Sequence, residues 1–372
     1  MKSVFTKTIR SSSGHGYPRI FDNNSLFQKL MWGCFCLIFG AFSVVLIIAA
    51  VKGYLEYHVI DQVTIVEETP LIFPSVTFCN RAFKKPNDIS IRFNHYPFKS
   101  PWAALEKFHI NYNTCLRFNG KKNSIEKSSN LRESTVPGSS FGFKIEFRFD
   151  LNSVKKLYVY IADNNVHPTL LDTQDFFLRR SYEANIKLKK NVIKKLPHPY
   201  TNCSKIENLE SKYQSEEYKH TVESNYTYRH LNCYEYCSAR IIAINCNCSL
   251  PGIYENKGNI LCSDPNRRRC KYIESKDKSC LEKCPTECDY TKFETEISSF
   301  FIYPVDNQSD VFKINFFYEA LKYSKYTQIA KTTMIDLISS IGGTLGLFMG
   351  LSLLSFIEIF DFLINLIFIL VY

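Results

Sequence analysis

The sequence predicts an α+β membrane protein in which two transmembrane helices flank a large, disulfide-rich extracellular domain. Three observations carry that prediction. Two apolar runs of membrane length stand near the two ends of the 372 residues. Twelve of the fourteen cysteines, an even set, fall between those runs, from Cys79 to Cys288. The same interval contains segments that alternate apolar and polar residues with the period of half-buried strands.

Residues 1–29 hold Lys2, Lys7, Arg10, Arg19 and Lys29 against a single acid, Asp22, which assigns them to the cytoplasm. The next run, "LMWGCFCLIFGAFSVVLIIAAV" from Leu30 to Val51, carries no charge and is flanked by Lys29 and Lys52. About 20 apolar residues cross a bilayer as a helix, so residues 30–52 form the first expected span. The rival reading is a cleaved signal peptide, with Ala49 and Ala50 before the cut. A signal core is only about 7–15 residues long and begins earlier, so the span is preferred. With a second span at 335–369 and a short end at 370–372, both termini are expected in the cytoplasm of a multi-pass plasma-membrane protein. Residues 53–334 are then outside the cell.

Cys34 and Cys36 lie in the first span and are expected to be free. The other twelve cysteines, in an oxidising compartment, read as a disulfide framework. Zinc is the alternative, because "CLEKCPTEC" has metal-type spacing. Four glycosylation sequons, at Asn202, Asn225, Asn247 and Asn307, favour the extracellular reading. The net charge of +10 is spread over runs such as "KLKKNVIKK". These face away from any nucleic acid in this topology and read as solvated surface. His95, His109, His167 and His198 form no nucleophile or metal motif, so no catalytic residue, metal, cofactor or enzymatic activity is expected. Strands are expected in "FGFKIEFRFD", where Phe143, Ile145, Phe147 and Phe149 alternate with Lys144, Glu146, Arg148 and Asp150. "KKLYVYIAD" and "VFKINFFYEALKY" read the same way, and the cysteine-dense part from Cys203 to Cys288 reads as short bridged helices.

The last span is unusual for an anchor. In "GGTLGLFMGLSLLSFIEIFDF", from Gly342 to Phe362, Gly342, Gly346 and Gly350 recur every four residues and fall along one stripe of a helix. Small residues at that spacing let membrane helices approach closely, which by itself is also what a plain packing motif would show. Glu358 and Asp361 add two acids. A charge at the centre of a membrane helix costs about 2.5–3.5 kcal/mol on insertion scales, so such groups face a bundle interior or water; Asp361 also has the option of the headgroup layer. Gly350 carbonyls, Ser352 hydroxyls and a ring of Glu358 together describe a cation path. One such helix per chain cannot enclose a pore, so several subunits around an axis are required.

These residues resemble the second transmembrane signature of the degenerin, epithelial sodium channel and acid-sensing ion channel superfamily. The resemblance covers nearly the whole chain: His15-Gly16 in "SSSGHGYPRI", Cys79-Asn80 closing "IFPSVTFCN", then "NTCLRFNG", "LPHPYTNC", "LNCYEYC", "NCNC" and "CLEKCPTECDY", in family order. It implies a clenched-hand ectodomain with a central β-sheet palm, a homo- or heterotrimer with related subunits, sodium ions as cargo and amiloride-type blockers as ligands. It further implies a selectivity tract at Gly350-Leu351-Ser352, blocker action at Gly346, a gating position at Ser339 and an inner-pore role for His15-Gly16. The implied disulfides are Cys79–Cys115, Cys203–Cys288, Cys233–Cys284, Cys237–Cys280, Cys246–Cys270 and Cys248–Cys262. Tyr200 falls where relatives carry an aromatic leaning on the top of the first span, with Tyr57 as its receiving ring. Thirty-five residues separate Cys79 from Cys115, too few for the long finger of acid-sensing relatives. Opening by peptide, by mechanical load or constitutively is therefore expected ahead of acid gating. Leu351 is bulkier than the usual alanine or serine of the tract. The alternatives are a non-conducting regulatory subunit or surface receptor of the same fold, and an ATP-gated purinergic-type receptor, which lacks the glycine-serine signature.

Overall fold

Uninterrupted apolar sequence with no proline makes the N-terminal run one continuous helix. In the computed structural model the described residues are 17–22, 25–80, 86, 88–110, 113–120, 131–150, 154, 156–167, 176–205, 215–224, 226–250, 260–262, 279–302, 309–352, 355, 357–358, 360–361, 364 and 367. The chain divides into two units, one of Met1–Ile60 with Ile329–Tyr372 and one of Asp61–Gln328.

In the first unit a short helix α1 (Tyr17–Asp22) precedes α2 (Leu26–Leu55), which encloses the run read from the sequence and extends beyond it at both ends. Thirty residues at 1.5 Å each give about 45 Å of helix, longer than the ~30 Å of bilayer hydrocarbon. Among the described residues α2 is the one helix long and apolar enough to cross a membrane.

The second unit holds, in chain order, β1 (Val59–Glu67), β2 (Leu71–Ile72), β3 (Ser75–Asn80), β4 (Asp88–Phe93), β5 (Tyr96–Pro97), β6 (Leu105–Ile110), β7 (Asn113–Phe118), β8 (Glu133–Ser134), β9 (Phe143–Asp150), β10 (Lys156–Ala162), β11 (Phe176–Arg179), β12 (Tyr182–Lys194) and β13 (Cys203–Ser204). Helices α3 (Glu216–Val222) and α4 (His230–Cys246) follow, then β14 (Cys248–Ser249), β15 (Ile260–Leu261), α5 (Ser279–Lys283), β16 (Thr286–Glu287), β17 (Asp289–Phe301) and β18 (Ser309–Ala330). Helix α6 (Met334–Met349) returns to the first unit.

Two sheets dominate. One has the order β17-β12-β18-β9-β4-β5, with β1 also on β18; the other has the order β11-β10-β3-β7-β6. Their inner faces make one core because alternate residues of each strand point the same way. Phe143, Ile145, Phe147 and Phe149 of β9 are all buried, while Arg148 and Asp150 are exposed. Across the sheets Phe78 of β3 meets Phe147 edge-on at 5.1 Å, and Phe118 of β7 stacks on Phe143 at 3.9 Å and 10°. Gly142 lies where a Cβ would strike the main-chain oxygen of Phe316, so this approach of β9 to β18 needs glycine. The fold is therefore mixed α and β, with a β-sheet core.

One core member breaks the strand pattern. Arg117 of β7 is 2% exposed. Its Nη2 donates to the carbonyls of Asn164 (2.9 Å) and Val166 (3.0 Å). Burial pulls its pKa below the usual arginine value, opposed by Tyr226, Glu106 and Asp163.

Five disulfides are described: Cys79–Cys115, Cys203–Cys288, Cys233–Cys284, Cys237–Cys280 and Cys248–Cys262. Cys79 and Cys115 are cross-strand neighbours on β3 and β7. Cys233 and Cys237 are four apart on α4, and Cys280 and Cys284 begin four apart at α5, so two bridges join two one-sided ladders. Cys246 is also disulfide-bonded; Cys270, its expected partner, lies outside the described residues. Neither Cys34 nor Cys36 is in a disulfide.

Candidate functional site

Helix α6 begins with a reciprocal cap: Thr333 Oγ1 accepts from the Asp336 N–H at 3.2 Å, and the Thr333 N–H donates to the Asp336 carboxylate at 2.9 Å. From there the helix has two different faces. Leu337, Ile341, Thr344, Leu345 and Phe348 are half-buried. Phe348 meets α2 through Phe42, edge-on at 5.1 Å, and Phe39, stacked at 6.3 Å. Ser339, Gly342, Gly343 and Gly346 are exposed and fall on the opposite side of a 3.6-residue helix. A Cβ added at Gly342 or Gly343 would meet nothing within 4 Å, and one at Gly346 only the carbonyl oxygen of Leu351 at 3.7 Å. Bulky residues thus hold α6 against α2, and the small ones are left facing away from it.

The glycine stripe does not run through one helix to its end. Gly350 adopts φ 66° and ψ 18°, a left-handed conformation that terminates α6. Its N–H bonds the Gly346 carbonyl at 3.1 Å, and the Leu351 N–H bonds that of Leu345 at 3.2 Å. Leu351 is half-buried and Ser352 exposed, both outside helix. The Ser352 N–H donates to Ser355 Oγ at 3.1 Å, and helical backbone is described again from Ser355. Gly350-Leu351-Ser352 is therefore a non-helical step between helical segments, and its serine is exposed. Composition could have signalled this: glycine one past an apolar helix, followed by serines, is a termination pattern. The even four-residue spacing masked it.

Beyond the step, Glu358 is half-buried and Asp361 exposed, both helical. A cavity of about 650 Å³ lies between Trp32, Phe35, Cys36 and Phe39 of α2 and Leu347, Phe348 and Met349 of α6. It ends at the residue before the break. Sequence reading missed it, since aromatic residues in a span look alike whichever way they face.

The remaining expected residues are spread out. Tyr57 follows α2 with φ 50° and lies 6.0 Å, ring to ring, from Tyr54. Tyr200 is half-buried in a turn closed by its N–H on the Pro197 carbonyl at 3.1 Å. The two tyrosines belong to different units. Asn202 and Asn247 are exposed. His15, Gly16, Asn225 and Asn307 lie outside the described residues. Among the described residues no group of three or more His, Cys, Asp or Glu is arranged to hold a metal.

Comparison with known proteins fixes the family. The profile of the family described as "Amiloride-sensitive sodium channel" matches residues 8–101 and 89–362. The chain belongs to this family. The amiloride-sensitive sodium channel family is one of membrane ion channels, not of enzymes. It is similar to the epithelial sodium channel subunit alpha of Homo sapiens, 24% identical over 358 residues, covering 85% of this chain and 49% of that protein. It is also similar to the acid-sensing ion channel 4-B of Danio rerio, 22% identical over 439 residues, covering 95% of this chain and 74% of that protein. The chain spans about half the length of the epithelial sodium channel relatives it matches. A slight likeness exists to the cryo-EM structure of a proton-activated chloride channel: 8% identity, TM-score 0.42, covering 92% of this chain and 100% of the other.

Proposed function

We propose that this chain is one subunit of a trimeric, amiloride-sensitive, sodium-preferring cation channel of the plasma membrane. Both termini are cytoplasmic, and the disulfide-rich unit is extracellular. Helix α2 is the outer span. Helix α6 and the helical residues after Ser352 form the inner, pore-lining span.

The supporting observation is the two-sidedness of α6. Phe348 and its neighbours pack on α2, and the face of Ser339, Gly342, Gly343 and Gly346 is left without bulk. Three such faces brought around an axis leave room for a narrow aqueous path. At the Gly350-Leu351-Ser352 step backbone carbonyls and hydroxyls are free of regular helix and replace hydration oxygens of a passing cation. Glu358 and Asp361, six and nine residues beyond Ser352, supply negative charge that draws cations in and repels anions. Ser339 serves as the gating position and Gly346 as the site of blocker action, with His15-Gly16 at the inner mouth. Tyr57 and Tyr200 couple the extracellular unit to the spans. An aromatic pair contributes about 0.5–1.5 kcal/mol beyond area burial, so a double-mutant cycle on gating would return simple additivity if no such contact exists.

The deciding experiment is whole-cell current from the expressed chain, alone and with related subunits, with sodium exchanged for potassium and amiloride applied. The expected result is an amiloride-blocked inward sodium current, enlarged when Ser339 is replaced by a bulky residue. Silence in every combination, with the protein proven at the surface, would refute conduction and leave the non-conducting subunit or receptor.

A further inference from the structure

Two of the four sequons carry a cysteine at their centre, Asn202-Cys203-Ser204 and Asn247-Cys248-Ser249. In the folded chain both asparagines are exposed. The other two residues of each sequon are not available. Cys203 is bonded to Cys288, and Cys248 to Cys262. Ser204 is 6% exposed, its hydroxyl 2.7 Å from that of Tyr218. Ser249 is 3% exposed, and its hydroxyl has no hydrogen-bond partner among the described residues. Each Cys-Ser pair is also zipped into a two-stranded sheet. β13 pairs with β16 and is closed by the Cys288 N–H on the Ser204 carbonyl; β14 pairs with β15 and is closed by the Cys262 N–H on that of Ser249.

An acceptor sequon is read through its hydroxyl as well as its asparagine. A chain whose serine is buried and whose backbone is paired cannot present both. We propose that Asn202 and Asn247 accept oligosaccharide only before their own disulfides close, so that glycosylation and oxidation compete at each site, most sharply at Asn247. The proposal rests on the extracellular placement of the disulfide-rich unit given above.

The two reactions balance separately. In transfer, the Asn Nδ2–C1 bond of the sugar forms as the C1–oxygen bond of a lipid-linked diphosphate donor breaks; the lipid diphosphate leaves, and Nδ2 loses a proton. In closure, two thiols form one disulfide, and their two electrons and two protons pass to a disulfide-bearing oxidoreductase, which becomes a dithiol. The sites differ in how long closure must wait. Cys203 needs a partner 85 residues downstream, Cys248 one only 14 downstream. At about 5–20 residues per second of synthesis, the partner follows after roughly 4–17 s in the first case and roughly 1–3 s in the second. The shorter loop also closes at lower entropic cost. Asn202 is therefore modified more completely than Asn247.

The test is site occupancy in the full chain, pulse-labelled in cells or microsomes and read by enzymatic deglycosylation and peptide mass spectrometry. Cys262→Ser leaves its sequon intact and removes the closing partner, so Asn247 occupancy should rise severalfold with Asn202 unchanged. Cys288→Ser should raise Asn202 alone. Cys79→Ser breaks a bridge elsewhere and should move neither. The proposal is overturned if Asn247 does not respond to Cys262→Ser, or responds equally to Cys79→Ser, which would signal general misfolding. Absence of glycan at every sequon in every variant would instead overturn the extracellular placement, and this inference with it.

Discussion

The left-handed Gly350 offers a test that separates backbone conformation from side-chain size. Its φ of 66° and ψ of 18° lie in the region an L-residue enters at about 1–2 kcal/mol. In a trimer whose three breaks form together, alanine would cost about 3–6 kcal/mol. At 1.4 kcal/mol per tenfold, that shifts the balance from the broken helix toward a continuous one by roughly 10²–10⁴. Asparagine is much larger than alanine but several-fold enriched in this region, and a β-branched residue there is an outlier. The expected order of sodium current per surface subunit is therefore Gly350, then Gly350→Asn, then Gly350→Ala, with Gly350→Val lowest. Whole-cell current normalised to surface biotinylation reads it directly. If the step mattered only for the space it leaves in the pore, asparagine would fall below alanine. That order, or alanine matching wild type, would refute the conformational argument.

Other consequences follow from the β-sheet unit. Gly142→Ala drives a methyl into the main-chain oxygen of Phe316; overpacking costs about 1–3 kcal/mol and should lower the thermal midpoint of the solubilised protein, an unchanged midpoint meaning that β9 yields freely. Phe118→Ala removes one ring of the closest stack in the core and should cost about 3–5 kcal/mol, with a coupling to Phe143→Ala of about 0.5–1.5 kcal/mol in a double-mutant cycle of unfolding. Burial, with smaller contributions from Asp163 and Glu68, pushes the Tyr318 phenol well above its ordinary value. Its folded pKa thus exceeds the unfolded one, so the contribution it makes is complete below about pH 10 and is lost as pH rises further. Tyr318→Phe should weaken the loss of stability measured above that pH. It should also cost about 0.5–1.5 kcal/mol at neutral pH, because the phenol donates to the Ile72 carbonyl at 2.9 Å; unchanged alkaline unfolding would refute the assignment.

What could be read from the sequence followed from how one-sided each element is. β9 buries every second residue, so its period shows. β1 is exposed on nearly every residue, with Val63 and Ile65 facing out, and no local period marks it as a strand. The parallel pairing of β12 with β18 joins Tyr182 to Phe312 across more than a hundred residues, and nothing local encodes it. Arg117 sits where alternation places either a core or a surface residue, and its charge argued for the surface. The carbonyls of Asn164 and Val166, supplied by a distant turn, make the buried position tenable. Gly350 is the reverse case. There a regular pattern was visible, and the chain departs from it. Gly342, Gly346 and Gly350 share a spacing, but only the first two are helical, and the third ends the helix at the tract where cation selection is proposed. Departures from local regularity collect where function demands a geometry that packing alone would not choose. At this tract the residue types announce oxygen ligands and close approach, whereas the even glycine spacing hid the helix-ending signal of Gly350 before its serines.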